Sequence, residues 1–81
     1  MKYIVIFFSQ SGAIKFNKSM DIKGIECILA PTPRILSSSC GTCAKISYDK
    51  DISELVDEEV ESIYSVKKLN DYSLVYDSYA I

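Results

Sequence analysis

At 81 residues, 48% of them hydrophobic and 25% charged, the chain has material for one small core and none for a second domain. A formal net charge of −2 excludes a general affinity for nucleic acid, which needs Lys and Arg to displace counterions from phosphate. The absence of histidine excludes Ser-His and Cys-His nucleophile pairs and every zinc site built on imidazole.

Tyr3 to Phe8 is an unbroken run of β-branched and aromatic residues, the pattern of a strand buried on both faces. It is too short for a secretory leader, and the segment after it is charged and amphipathic. No run is long enough to span a bilayer, so no membrane association is expected and the reducing cytoplasm is the default location. Ser9 or Ser11 caps a following helix, Gly24 ends it, and Ala13, Phe16 and Met20 form its apolar stripe, with Lys15, Lys18 and Asp21 outward. Ile25 to Ala30 reads as a second strand, stopped by Pro31-Thr32-Pro33, and a long loop runs from there to about Thr42. Ala44, Ile46 and Tyr48 then alternate with Lys45, Ser47 and Asp49 as in a half-exposed strand.

Asp51 with Glu54 predicts the start of a second helix with the stripe Ile52, Leu55, Val56 and Val60, and Asp57, Glu58, Glu59 and Glu61 as its solvated acidic face. A fourth strand follows over about Ile63 to Leu69. Asn70-Asp71 marks a turn, and the alternation of Tyr72, Leu74 and Tyr76 leaves room for a short fifth C-terminal strand. The order predicts an α+β fold of ferredoxin-like βαββαβ type, with two helices on one face of a four-stranded antiparallel sheet. So small a core also leaves room for pairing with a second copy as a homodimer.

Folding explains the segment Pro31 to Cys43 least. Two prolines stiffen it, Gly41 admits a positive φ just after Cys40, and the serines Ser37, Ser38 and Ser39 with successive backbone N–H groups suit an anion-binding nest. A thiolate at Cys40, with Arg34 or Lys45 nearby, would be a good nucleophile. Cys40-Gly41-Thr42-Cys43 also has the spacing of a dithiol redox motif. The alternating residues after Cys43 deny it the usual helix, and residues three apart on an extended chain point to opposite faces. Three cysteines are too few for a disulfide framework and one short of a four-thiolate metal site, so no metal is expected within one chain. Cys27, within the second strand, reads as a small buried hydrophobe.

Pro31-Thr32-Pro33-Arg34, followed after a short spacer by Ser38-Ser39-Cys40-Gly41, resembles the signature of the small bacterial selenium/sulfur carrier-like proteins. The similarity extends to the opening strand, the Ala13 to Lys23 helix ending at Gly24-Ile25, and the acidic segment leading to Ile63-Tyr64. The resemblance implies a carrier of reduced sulfur or selenium with Cys40 bearing the transferred atom, donor and acceptor proteins as partners, and no cofactor. Arg34 would be a motif member without an assigned role, an anion contact being one option. Two features depart from the pattern: Cys43 stands where an apolar or small residue is expected, and the tail from Lys67 to Ile81 is longer than the similarity covers. Two other functions stay open on the residues alone. One is a non-catalytic ligand- or protein-binding module whose thiol is incidental, and the other is a dithiol redox protein using Cys40 and Cys43.

Overall fold

The apolar run at the amino terminus becomes the middle of the sheet. In the computed structural model, which describes residues 1–36, 39–68 and 70–79, it is strand β1 (Lys2–Phe7), and Val5, Ile6 and Phe7 are fully buried. Helix α1 (Gln10–Ile22), β2 (Cys27–Pro31), β3 (Thr42–Ser47), β4 (Val60–Lys68) and β5 (Asp71–Asp77) follow. The five strands form one sheet in the order β2-β3-β1-β4-β5, every neighbouring pair antiparallel. The C-terminal strand left open by the sequence is therefore present, seven residues long. No helix among the described residues is long and apolar enough to cross a membrane.

Helix α1 starts and stops where its sequence directs. Ser9 is the N-cap, its Oγ accepting from the Gly12 N–H at 3.1 Å. At the other end the Gly24 N–H reaches the Asp21 carbonyl and the Ile25 N–H the Met20 carbonyl, with Gly24 at φ 72°. That pair of bonds is a Schellman closure, which needs a left-handed residue after the last turn. The buried stripe Ala13, Phe16 and Met20 packs on Tyr3, Val5 and Phe7, and the Phe7 and Phe16 rings lie 5.1 Å apart.

The second helix expected from Asp51 does not form, so the two-helix ferredoxin-like arrangement is corrected to one helix on a five-stranded sheet. Asp51 does cap a turn, its carboxylate accepting from the Ser53 N–H, but only a single 3-10 turn over Ile52–Leu55 results. Six carboxylates lie between Asp51 and Glu61, with no Lys or Arg between Lys50 and Lys67. In a helix they would repel one another at spacings of three and four and crowd the negative C-terminal end of the dipole. Asp57 instead accepts from the Glu59 N–H at 2.9 Å, turning the chain into β4. The spacing of three between Val60 and Ile63, both on the helix side of the sheet, belongs to a β-bulge: Ile6 pairs with Ser62 and Phe7 with Val60, leaving Glu61 as the extra residue.

The face opposite α1 carries three cross-strand rows set by the register. Ala30, Cys43, Ile6 and Ser62 form one, Ile28, Lys45, Ile4, Tyr64 and Leu74 the next, and Ser47, Lys2, Val66 and Tyr72 the last. Leu36 covers the first row, while the other two border a hollow of about 300 Å³.

Gly12 is buried where α1 meets the start of β4, and an added Cβ would lie 2.6 Å from Glu59 Oε2 and 2.8 Å from Glu59 Cβ. Gly12→Ala gains about 1 kcal/mol of helix propensity. It also drives a methyl group against a side chain whose own Cβ is held by the strand, a steric cost of about 1–3 kcal/mol. Overpacking is expected to win and to lower the melting temperature by roughly 5 °C in calorimetry.

Candidate functional site

The chain between β2 and β3 wraps around the end of the sheet. Its base is closed by the Thr32 N–H donating to the Gly41 carbonyl at 3.0 Å, which continues the β2–β3 ladder by one bond. A turn with the Leu36 N–H on the Pro33 carbonyl then lays Leu36, 8% exposed, over Ile4, Ile6 and Cys43. Cys40 lies on the helix side, half-buried against the main core, and its thiol donates to the Thr42 carbonyl at 3.3 Å. Gly41, at φ 75°, supplies the left-handed step that brings the chain back into β3.

Cys40 and Cys43 therefore lie on opposite faces of the sheet. Cys43 is fully buried beneath Leu36 and its thiol points to the Pro31 carbonyl, 3.7 Å away. Both ladders of β3 hold it, Ile6 on one side and Ala30 on the other. No disulfide joins Cys27, Cys40 and Cys43. Lys45 shares the face of Cys43, so its charge acts on Cys43: desolvation raises that thiol above its ordinary range, the Lys45 ammonium pulls partly the other way, and a negative charge on Cys40 adds to the rise. Burial pushes the Cys27 thiol up to about 11.

Of the other residues singled out in the loop, Arg34 is exposed and makes no ion pair among the described residues. Ser38 lies outside the described residues, and Ser39 is exposed. The Ser39 N–H donates to Glu61 Oε1 at 3.2 Å, and the Tyr79 hydroxyl donates to Glu61 Oε2 at 3.3 Å. These two residues were not legible as site residues. Glu61 reads as one more carboxylate of an acidic helix until the bulge re-aims it, and Tyr79 lies past the last predicted strand. A signal was present in the spacing Val60, Ser62, Ile63: one extra residue in an otherwise strand-like run is how a bulge looks in sequence.

The same end of the sheet carries the start of α1. Here Glu59 occupies the positive end of the helix dipole, its carboxylate accepting from Ser9 Oγ at 3.2 Å. No group of three or more His, Cys, Asp or Glu side chains among the described residues could hold a metal ion.

Over residues 2–69 the chain matches the family described as "Putative Se/S carrier protein-like". It belongs to that family. The match takes in the whole of the loop, Cys40, Cys43 and Glu61, and stops before β5. No curated protein and no solved structure matches the chain. In this Se/S carrier-like chain, Cys40 is set apart from the other two thiols by its place in a loop at the end of the sheet, whereas Cys27 and Cys43 belong to strands.

Thiolate, not thiol, reacts with alkylating agents. A rise from 9.0 to about 11 leaves roughly a hundredfold less thiolate at Cys27 than at an ordinary cysteine at pH 8. Iodoacetamide at that pH is expected to modify Cys40 first, with Cys27 at least about tenfold slower and Cys43 slowest. Peptide mapping of a time course checks the order. The raised thiols stay neutral in the fold while unfolded ones ionise, so stability should fall as pH rises past 9 toward 11.

Proposed function

We propose that this protein carries sulfur, or selenium in the equivalent oxidation state, on Cys40 and passes it between a donor and an acceptor protein in the reducing cytoplasm. The observation that carries the reading is the placement of Cys40. It sits in a backbone-held loop at the end of the sheet, on the opposite face from Cys43, in a chain of the Se/S carrier-like family. A carrier has to load one thiol and keep neighbouring thiols from discharging it. A second thiol locked under Leu36 on the far face meets that need.

The chemistry is thiol exchange. Cys40 thiolate attacks the outer sulfur of a donor persulfide, a Cys40 S–S bond forms, and the donor's S–S bond breaks with its electron pair leaving on the donor thiolate. The thiol proton goes to solvent and returns to the donor, with no net oxidation. Delivery is the same step with the acceptor thiolate attacking. No general base is required, in keeping with a chain that has no histidine. Arg34, Ser39 and Gly41, with Ser38 as their neighbour in the sequence motif, would offer contacts to the developing anion.

A second reading, a non-catalytic ligand- or protein-binding module, is favoured by the hollow on the open face. It is lined by Lys2, Ile4, Ile28, Lys45, Val66 and Tyr72 among others and lies at the opposite end of β1 from Cys40. Intact mass of the reduced protein after brief exposure to a persulfide donor separates the two. The carrier gains one sulfur atom in the parent and in Cys43→Ser and none in Cys40→Ser. No gain in any of the three would leave the binding module. A loss of two hydrogens requiring both cysteines would instead indicate dithiol redox chemistry.

A further inference from the structure

Cys40 is flanked by two residues of opposite mechanical character. On one side Gly41 is a backbone hinge at φ 75°. On the other, Ser39 is held by its backbone: its N–H donates to Glu61 Oε1 at 3.2 Å. Tyr79 donates to the other oxygen, Glu61 Oε2, at 3.3 Å, so a single carboxylate ties the loop to the C-terminal segment.

We propose that Glu61 and Tyr79 form a latch that keeps the Cys40 loop closed over the end of the sheet and so governs access to the Cys40 thiol. The proposal rests on the reading of Cys40 as the reactive residue. Glu61 is aimed by its β-bulge, where it is released from the alternation of β4. Tyr79 is aimed by a turn. The Ser78 N–H donates to the Glu61 carbonyl at 3.0 Å, the Tyr79 N–H donates to Asp77 Oδ1 at 3.0 Å, and the ring then meets Phe8 edge-on at 5.9 Å. Three separate contacts thus place a residue beyond the family match (residues 2–69) against the carboxylate that holds the residue next to Cys40.

In the closed loop Cys40 is packed against the core with its S–H given to Thr42. Exchange with another protein's sulfur needs an open line of approach to the sulfur atom, which a half-buried side chain does not offer. The latch is built to release: Ser39 is exposed and Tyr79 is 66% exposed, so water replaces their hydrogen bonds at little cost. Glu61 and Tyr79 are positioning residues, acting on Cys40 through Ser39.

The test uses the full chain, Tyr79→Phe and Glu61→Ala, with amide hydrogen exchange at Ser39 and alkylation rates of Cys40 and Cys27 measured in the same samples. Both variants are expected to speed Ser39 exchange and Cys40 alkylation about threefold to tenfold, the range of one lost hydrogen bond, with Cys27 unchanged. Unchanged Cys40 rates would overturn the latch. A parallel rise at Cys27 would overturn it too, since the contacts would then serve only the stability of the fold. Alkylation is independent of sulfur uptake. A parent that loads sulfur while both variants alkylate normally therefore refutes the latch and leaves the carrier standing. A parent that loads nothing while both variants alkylate faster refutes the carrier alone.

Discussion

Strand β1 is hydrogen-bonded on both sides and covered on both faces, and the positions of the other elements follow from that. Its register is doubly fixed, because Val5 faces Ala44 on one side and Ile63 on the other, and Ile6 faces Cys43 and Ser62. A slip of one residue would turn Val5 and Phe7 away from Phe16 and Met20 and expose a row of apolar side chains, so the register is strongly held. Once it is held, the end of β1, the start of α1, the start of β3 and the bulge in β4 must all meet at one end of the sheet. The loop with Cys40 is strung across that end. The site is thus a by-product of how the most hydrophobic segment of the chain buries itself.

The alternation of side chains along a strand then separates the thiols. Cys43 lies in β3 and points to the face without the helix, whereas Cys40, just before the strand, packs toward the helix. Three residues of sequence become the thickness of a sheet. A C-x-x-C spacing at a helix N-terminus brings two sulfurs together. The same spacing leading into a strand keeps them apart, so what the motif means depends on the element it opens.

Much of this was legible in the sequence because the deciding forces are local. Tyr3 to Phe8 announces a buried strand by composition, α1 is bounded by a serine cap and a glycine closure, and Pro31 to Gly41 stands out as a segment folding does not explain. The acidic segment was misread because its apolar spacing, with Ile52, Leu55, Val56 and Val60, mimics a helix stripe. The spacing is produced by a 3-10 turn followed by a bulge, and the mutual repulsion of six carboxylates outweighs the pattern. Glu61 and Tyr79 stayed hidden for a different reason. The contact of Glu61 with Ser39 spans 22 residues, that of Tyr79 with Glu61 depends on a turn at the end of β5, and no local pattern encodes either.

The burial of Cys43 has a consequence for oxidative damage. Cysteines that act as redox sensors are commonly accompanied by a resolving thiol, which converts a sulfenic acid into a disulfide before it is oxidised further. Here the neighbouring thiol could close such a bond only by leaving both of its ladders in the sheet. A sulfenic acid at Cys40 would therefore have to be rescued by a small-molecule thiol or by a thiol of another protein, or pass on to the irreversible sulfinic state. The geometry that keeps Cys43 on the far face thus leaves Cys40 dependent on the reducing power of its surroundings.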